Sequence, residues 1–203
     1  MTRPNTFPNP MLVVVSGPSG VGKSTIVAEL ASRHPQVVPI VTATTRERRP
    51  GEEDGVHYHF LAAADFDILR AEGGLLESAE VHGHWYGTPL DQVRGILAAG
   101  RDVILTIDPQ GAQAVRRLVP DALLIFVMAP SPEVLDERLA GRGSESAADL
   151  ALRRQDAEAE MAASDDYDEV VVNETGRAAE TAERIWEIIH REAHREPPRQ
   201  VRI

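Results

Sequence analysis

The sequence predicts an α/β fold in which a parallel sheet is flanked by helices. Several short runs, such as residues 12–15, are apolar and β-branched without polar alternation, which is typical of strands buried on both faces of a parallel sheet. These runs alternate with amphipathic segments of helical length, as expected for right-handed strand–helix–strand crossovers. A glycine-rich turn also joins the first strand to the first helix, and such sheets bind ligands at the carboxyl ends of their strands.

Length and composition limit what the chain can be. Its 203 residues are enough for one core with insertions, and the lack of cysteine excludes disulfides, thiol nucleophiles and cysteine-based metal sites. The net charge of −11 argues against a nucleic-acid partner. The longest apolar run, residues 122–129, is far shorter than the roughly 18–20 residues of a membrane span, and the N-terminus lacks the apolar stretch of a secretory signal. We therefore expect a cytoplasmic protein without membrane or nucleic-acid partners.

The remaining elements follow from periodicity and turn signals. Residues 1–10 are rich in proline and are expected to form a flexible leader. Strands are predicted at 37–41, 56–60, 75–81, 103–107, 122–128 and 169–172, and helices at 65–74, 90–100, 111–118, 132–141, 146–163 and 178–192. Residues 42–89 thus form a small α+β insertion between two parts of the parallel sheet. The tail, residues 194–203, is expected to be loose.

One short motif carries chemistry of its own. Gly17-x4-Gly22-Lys23-Ser24 fits the phosphate-loop pattern without a mismatch. Glycines at 17, 20 and 22 let backbone N–H groups turn inward around a phosphate chain, Lys23 adds positive charge, and the Ser24 hydroxyl can ligate Mg²⁺. The alternative is a loop that only turns a strand into a helix. The apolar strand before it and the helix after it favour a nucleotide phosphate site.

Residues 42–52 are dense in hydroxyl groups and arginine and poor in apolar side chains. On composition alone, such a segment is equally typical of a solvated loop and of a site for a small phosphorylated ligand. Composition therefore leaves both interpretations open.

Several separate motifs, taken together and in order, resemble the guanylate kinase family over about residues 11–190. They are the phosphate loop at 16–25, Ala43-Thr44-Thr45-Arg46, Arg49-Pro50-Gly51-Glu52, Asp54-Gly55, Tyr58-His59-Phe60, Tyr86-Gly87-Thr88-Pro89, Ile107-Asp108-x-Gln110-Gly111 and Gly141-Arg142-Gly143. The Thr-Thr-Arg and Tyr-Gly-Thr-Pro segments are far more specific than a phosphate loop alone. The resemblance implies a P-loop kinase core (11–41, 90–130 and 164–193), an inserted nucleoside-monophosphate-binding lobe (42–89) and a helical lid (131–163).

The resemblance also implies a GMP site in the lobe. Arg46 and Arg49 match two clamps on the acceptor phosphate, which planar guanidinium forks can hold bidentately. Glu77 matches the carboxylate that reads guanine by accepting from its N1–H and 2-amino groups. The other matching positions are Thr42, Glu52, Tyr58, Tyr86, Thr88 and Asp108. Tyr58 and Tyr86 could instead be half-buried packing residues.

On the donor side, the resemblance implies ATP with Mg²⁺. The matching ATP positions are Gly17, Ser19, Gly20, Val21, Gly22, Lys23, Ser24, Thr25 and Asn173. The lid arginines Arg138, Arg142 and Arg153 would act with Lys23 and Arg46 as catalytic cations that neutralise the transferring phosphoryl group. Ser24 would bind Mg²⁺, and Asp108 would hold the ion through water.

The sequence departs from the family pattern at two places. Thr106 stands where a second carboxylate is usual, which puts base selectivity and rate in question. His84-Trp85 replaces the commoner Asn-Tyr before Tyr86.

The resemblance implies Mg²⁺-dependent phosphoryl transfer from ATP to GMP, giving ADP and GDP, by a monomer or homodimer of purine nucleotide metabolism. Two alternatives stay open. One is a related kinase for a different phosphorylated acceptor, for which Thr106 is the only argument. The other is a non-catalytic guanylate-kinase-like binding module, which the intact Lys23 and lid arginines disfavour.

Overall fold

β-Strands and α-helices alternate over most of the chain. The computed structural model describes residues 9–81, 83–140 and 163–203. The strands are β1 Leu12–Ser16, β2 Val37–Pro39, β3 Ala43–Thr44, β4 His59–Phe60, β5 Leu75–Val81, β6 His84–Pro89, β7 Asp102–Thr106, β8 Leu123–Met128 and β9 Glu169–Val172. The helices are α1 Lys23–Arg33, α2 Ala63–Ala71, α3 Leu90–Ala98, α4 Pro109–Leu118, α5 Pro132–Ala140 and α6 Ala178–Ala193, with a short 3₁₀ helix at Ala163–Asp166. None of the helices in these ranges is both long and apolar enough to cross a membrane.

Five strands form a parallel sheet in the order β2-β7-β1-β8-β9. The central strand, β1, pairs with β7 and β8, and all five of its residues are buried. Burial on both faces explains its unbroken run of apolar side chains. The predicted fold class, a parallel sheet flanked by helices, is confirmed. Most of the predicted lid lies outside the described residues.

Alternate residues of β1 contribute to two separate cores. Val13 and Val15 pack with Ile26 of α1 and with α6 on one face of the sheet. Leu12 and Val14 pack with α3 and α4 on the other face. A parallel sheet needs helices on both faces because its strands are apolar throughout. The loop that follows β1 therefore starts from a well-supported strand.

A second sheet of four strands, in the order β4-β3-β6-β5, is formed between β2 and α3 of the chain. β5 and β6 pair as an antiparallel hairpin, and β3 pairs antiparallel with β6. Phe66 of α2 is fully buried, and its ring lies close to Gly87 of β6. This α+β insertion carries the second group of candidate site residues.

The strand predicted at 56–60 is wrong for its first half, because only His59–Phe60 forms a strand. The preceding residues close a turn, in which the N–H of Gly55 donates to the carbonyl of Tyr58 at 2.8 Å. The Asp54 carboxylate also accepts from the N–H of Phe60 at 2.8 Å. Local side-chain hydrogen bonds of this kind compete with strand pairing.

The expectation of a loose tail is wrong for residues 199–201. Arg199 is 8% exposed, and its guanidinium donates to Glu192 at 2.9 Å and to the carbonyl of Ala122 at 3.1 Å. Val201 packs against the core that α3 and α4 share. A buried guanidinium needs a charged partner, which the end of α6 supplies. The tail thereby ties α6 to the start of β8.

Asp102 is a buried carboxylate at the start of β7, away from the edge of the sheet that carries the phosphate loop. It is 1% exposed, and its Oδ1 accepts from the N–H of Met11 at 2.8 Å. Its Oδ2 has no hydrogen-bond partner among the described residues. Burial raises the pKa of Asp102 from 3.8 to about 6.

We expect Asp102→Asn to raise the free energy of unfolding at neutral pH by about 1–3 kcal/mol, and this gain to shrink to almost nothing near about pH 4. A carboxyl group whose pKa is raised by folding destabilises the fold once it is ionised. Its cost is therefore complete above the folded-state pKa of about 6 and disappears on protonation. Urea denaturation at several pH values measures the difference, with the exposed Asp65→Asn as control. A gain that does not change with pH would contradict this prediction.

Candidate functional site

The predicted phosphate loop lies between β1 and α1, at the carboxyl edge of the parallel sheet. Gly17 has a φ of 136°, and a Cβ at this position would lie 2.2 Å from the carbonyl oxygen of Val127 in β8. Any side chain would collide with the backbone of the neighbouring strand, and the φ value itself favours glycine. The loop can therefore turn tightly across the end of the sheet.

Lys23 opens α1 at the base of this turn. Its side-chain ammonium donates to the carbonyl oxygens of Gly17 and Pro18, the latter at 3.0 Å. These contacts keep the positive charge within the loop, at the N-terminus of an 11-residue helix whose dipole favours an anion. The other predicted residues of the loop and first helical turn are half-buried or exposed: Ser19, Gly20, Ser24 and Thr25.

The back of the loop is fixed at the carbonyl oxygen of Val21. This oxygen accepts from the side-chain amide of Asn173 at 2.8 Å and from the guanidinium of Arg138 at 3.3 Å. Gly22 has a φ of 100°, and a Cβ there would lie 2.8 Å from the Asn173 amide nitrogen. Asn173 is 6% exposed, so its amide is committed to the loop backbone.

Thr181 of α6 orients Asn173 in turn. Its hydroxyl donates to Asn173 Oδ1 at 2.9 Å, and Thr181 is 4% exposed. Arg138 adds a bond to the carbonyl of Asn173 at 2.9 Å and another to the hydroxyl of Thr175 at 3.0 Å. Thr181 is not among the residues predicted from the sequence, where its signal is a hydroxyl residue on the apolar face of a helix.

Arg46 is the centre of the second group of predicted residues. Its guanidinium donates to Glu52 at 2.7 Å and to the carbonyl of Glu47 at 2.6 Å, and its side chain is 10% exposed. It also lies 5.4 Å and 5.7 Å from the ring centroids of Tyr58 and Phe60. The hydrogen bond between Arg46 and Glu52 raises the pKa of Arg46 and lowers the pKa of Glu52, so both groups are ionised. Arg46 is thus held in one place before any ligand binds.

Glu52 also fixes the backbone of the next predicted arginine. Its Oε2 accepts from the N–H of Arg49 at 2.8 Å, while the side chain of Arg49 is exposed. Tyr58 and Tyr86 are half-buried, with ring centroids 6.0 Å apart and edge to face. Desolvation raises the pKa of Tyr58, so its hydroxyl keeps its proton. Both rings take part in packing, which is compatible with a hydrogen-bonding role for their hydroxyl groups.

The two threonines of the Thr-Thr-Arg motif, for which the sequence predicts no role, hold Arg46 against β6. The Thr44 hydroxyl donates to the carbonyl of Trp85 at 3.0 Å and accepts from the N–H of Arg46 at 3.1 Å. Thr45 Oγ1 accepts from the N–H of Trp85 at 2.9 Å. The sequence signal for these contacts is the Thr-Thr-Arg motif itself, where hydroxyl groups precede the arginine.

Trp85, which departs from the family pattern, packs under Arg70. The guanidinium carbon of Arg70 is 4.2 Å from the centroid of the Trp85 ring.

Glu77 of β5 is buried close to the first turn of α4. It is 7% exposed, and its Oε1 accepts from the hydroxyl of Thr88 at 2.7 Å. Desolvation, with a smaller contribution from the charge of Asp108, raises the pKa of Glu77 to about 7. Thr88 donates to this carboxylate through its hydroxyl and, with a smaller effect on the pKa, through its backbone N–H. A carboxylate can accept about four hydrogen bonds, so acceptor sites are left over. The position is therefore suited to a ligand that brings further N–H groups.

Asp108 follows the end of β7 and caps α4. Its Oδ1 accepts from the N–H of Gly111 at 2.8 Å. Two other predicted positions are half-buried: Thr106 ends β7, and Thr42 precedes β3. Because β7 pairs in parallel with β1, with Thr106 opposite Val15, Asp108 and the phosphate loop leave the sheet side by side.

The predicted site residues that the structure describes lie mainly in three groups. These are the phosphate loop with Lys23, the arginine group of Arg46 and Glu52, and the base of the lobe with Glu77 and Thr88. The predicted lid residues Arg142 and Arg153 lie outside the described residues.

A phosphate loop at the end of a central parallel strand, with an inserted lobe that carries a fixed arginine and a buried carboxylate, is the arrangement of a phosphate-loop kinase. The family model described as guanylate kinase matches residues 9–192. The chain belongs to the guanylate kinase family.

Individual relatives agree with this assignment. The guanylate kinase of Thermobifida fusca is 52% identical over 162 residues, which cover 80% of this chain and 83% of the relative. The guanylate kinase of Streptomyces coelicolor is 49% identical over 164 residues, which cover 81% of this chain and 83% of the relative. The crystal structure of guanylate kinase from Anaplasma phagocytophilum matches with a TM-score of 0.76 and 31% identity, over 92% of this chain and 87% of that one.

We expect Thr181→Val to lower the free energy of unfolding by about 1–3 kcal/mol, because it keeps the shape of threonine but leaves the buried Asn173 oxygen without its donor. The side-chain amide signals of Asn173 should shift in the NMR spectrum of this variant. Thr181→Ser keeps the hydroxyl group and should leave those signals near their wild-type positions. A Val variant with wild-type stability and unshifted Asn173 signals would show that the hydroxyl does not orient the amide.

Proposed function

We propose that the protein is a guanylate kinase, which transfers the γ-phosphoryl group of ATP to GMP and releases ADP and GDP. The observation that carries this proposal is the buried Glu77 carboxylate, which can accept more hydrogen bonds than Thr88 supplies, in the same lobe as the fixed Arg46. The pair matches a ligand that has N–H donors at one end and a phosphate at the other. Membership of the guanylate kinase family supports the same conclusion.

Glu77 would read the base. Ionised, it can accept from the N1–H and the 2-amino group of guanine together, while Thr88 holds its Oε1 at 2.7 Å. Adenine lacks this pair of donors, so it would leave the buried carboxylate unpaired. Thr42 and Asp108 are proposed to complete the base pocket.

Arg46 and Arg49 would hold the acceptor phosphate, with hydroxyl hydrogen bonds from Tyr58 and Tyr86. The guanidinium of Arg46 is already ionised and localised by Glu52 at 2.7 Å, so little entropy is lost when the phosphate binds. A phosphate can take over donors of Arg46 that now point to the carbonyl of Glu47, or compete for those held by Glu52.

The phosphate loop would hold ATP, with Mg²⁺ as the proposed cofactor. The Ser24 hydroxyl and the Asp108 carboxylate are hard oxygen donors beside the loop, which fits the ligand preference of Mg²⁺. Bound with ATP, the ion would neutralise charge on the outer phosphates. Lys23 would supply positive charge to the same oxygens, and Asn173 would keep the loop in shape through Val21.

In the reaction, an oxygen of the GMP phosphate bonds to the γ-phosphorus of ATP. The bond from that phosphorus to the bridging oxygen breaks, and the electron pair leaves with ADP. The attacking oxygen is already anionic, so no strong general base is needed. The residues contribute by alignment and by neutralising charge: Lys23, Arg46, Arg138, Arg142 and Arg153. We also propose a cytoplasmic monomer or homodimer.

A coupled assay with ATP and a panel of GMP, dGMP, AMP, CMP and UMP tests the reaction. GMP should be turned over, and AMP, CMP and UMP should be at least about a thousandfold poorer by kcat/KM, because they lack the donor pair that Glu77 requires. If the protein binds both ATP and GMP by calorimetry without turnover, it is a binding module. If another acceptor is preferred, the protein is the related kinase for a different phosphorylated acceptor, and Thr106 is the first residue to test as the cause.

Glu77→Ala should raise the KM for GMP by about tenfold to a hundredfold and leave the KM for ATP within about twofold, because hydrogen bonds to a charged group contribute about 1.5–3 kcal/mol. Glu80→Ala is the matched control, since Glu80 lies exposed in the same strand. Equal use of GMP by the Glu77 variant and the wild type would exclude the guanine assignment.

A further inference from the structure

Gly111 is the third residue of α4 and lies against the Glu77 carboxylate. A Cβ at this position would lie 3.0 Å from Glu77 Oε2 and 3.3 Å from the Cβ and Cδ1 atoms of Ile107. The distance to Oε2 is shorter than about nine in ten real Cβ contacts, so one of the two groups would have to shift. Since Gly111 is buried, an added methyl group could not turn away into solvent.

The Glu77 carboxylate cannot move aside freely. Its other oxygen accepts from the Thr88 hydroxyl at 2.7 Å, and both residues are buried. A displacement of Oε2 by a few tenths of an ångström would rotate or shift the whole carboxylate and distort that hydrogen bond. The two buried side chains would then lose part of the hydrogen bond that joins them.

The helix itself does not require glycine at this position. Gly111 has a helical backbone, and its N–H donates to Asp108 Oδ1 at 2.8 Å, a bond that alanine would also make. Alanine is the more favourable residue inside a helix. What glycine supplies at position 111 is therefore the space beside Glu77.

We propose that Gly111 is a specificity-determining positioning residue: its missing side chain lets Glu77 lie against the first turn of α4, bound to Thr88, in the position from which it accepts from guanine. The inference rests on the proposed function, in which Glu77 reads the base. Gly111 acts through Glu77 and does not itself contact the base.

Steady-state kinetics of Gly111→Ala, with Gly95→Ala as control, test this role. Gly95 lies in α3, and a Cβ there would meet nothing within 4 Å. Gly111→Ala should raise the KM for GMP by about tenfold or more and reduce the preference for GMP over AMP, with the KM for ATP within about twofold of wild type. Gly95→Ala should leave these constants unchanged.

A thermodynamic cycle tests the same contact without any nucleotide. The urea midpoint is measured for Gly111→Ala in three backgrounds: Glu77, Glu77→Gln and Glu77→Ala. We expect Gly111→Ala to lower the urea midpoint when residue 77 is glutamate. The decrease should persist in the Glu77→Gln background, because glutamine has the size of glutamate. It should shrink in the Glu77→Ala background, because alanine removes the obstructing group. Gly95→Ala should give the same change in all three backgrounds.

Two results would overturn the proposal. If the loss persists in the Glu77→Ala background, Ile107 and not Glu77 is the obstacle at position 111. If the KM values for GMP and ATP rise together, the effect is a general distortion and not one of base reading. Failure of the proposed function has a different signature, because the wild type would then not use GMP while the unfolding cycle would still report the contact.

Discussion

The parallel pairing of β1 with β7 and β8 is the constraint on which the candidate site depends. It places the end of β1 between two strands that end at the same edge, so that Gly17 turns against Val127 and Asp108 emerges beside the loop. Two cores, one on each face, hold β1 rigidly enough for this arrangement to persist. Phosphoryl transfer depends on the alignment of the two substrates more than on covalent chemistry by the protein. A rigid strand at the start of the phosphate loop therefore helps to keep that alignment.

The phosphate loop and the lobe are each preorganised by polar contacts to neighbouring elements. Asn173 and Arg138 converge on the Val21 carbonyl, which links the loop to β9 and α5, while Thr181 links it to α6. In the lobe, Thr44 and Thr45 attach the arginine segment to Trp85 of β6. Donors and acceptors of this kind fix the backbone at defined points, where apolar packing alone would allow sliding.

The sequence predicts the sheet and the phosphate loop well because both leave local signals: unbroken apolar strands, and glycines where the backbone has no space. It predicts least where a side chain acts through the folded structure. Thr181 orients Asn173 from another element, and no local pattern shows this contact. The Thr-Thr-Arg motif does indicate that Thr44 matters, but it does not show that Thr44 donates to Trp85. The two errors have a different cause, because both come from side-chain hydrogen bonds that hydrophobic periodicity does not report. Asp54 accepts from the N–H of Phe60 and closes a turn where a strand is predicted, and Glu192 binds Arg199 in a tail expected to be loose.

The ion pair between Arg46 and Glu52 also bears on which anions the lobe would bind. With Glu52 at 2.7 Å, the positive charge of the guanidinium is already balanced by an ionised carboxylate. A tethered carboxylate acts at a high effective concentration, so a small anion such as inorganic phosphate must outcompete it unaided. If the lobe binds a nucleotide as proposed, contacts at the base would offset the cost of displacing the carboxylate. The ion pair would then favour the complete nucleotide over inorganic phosphate.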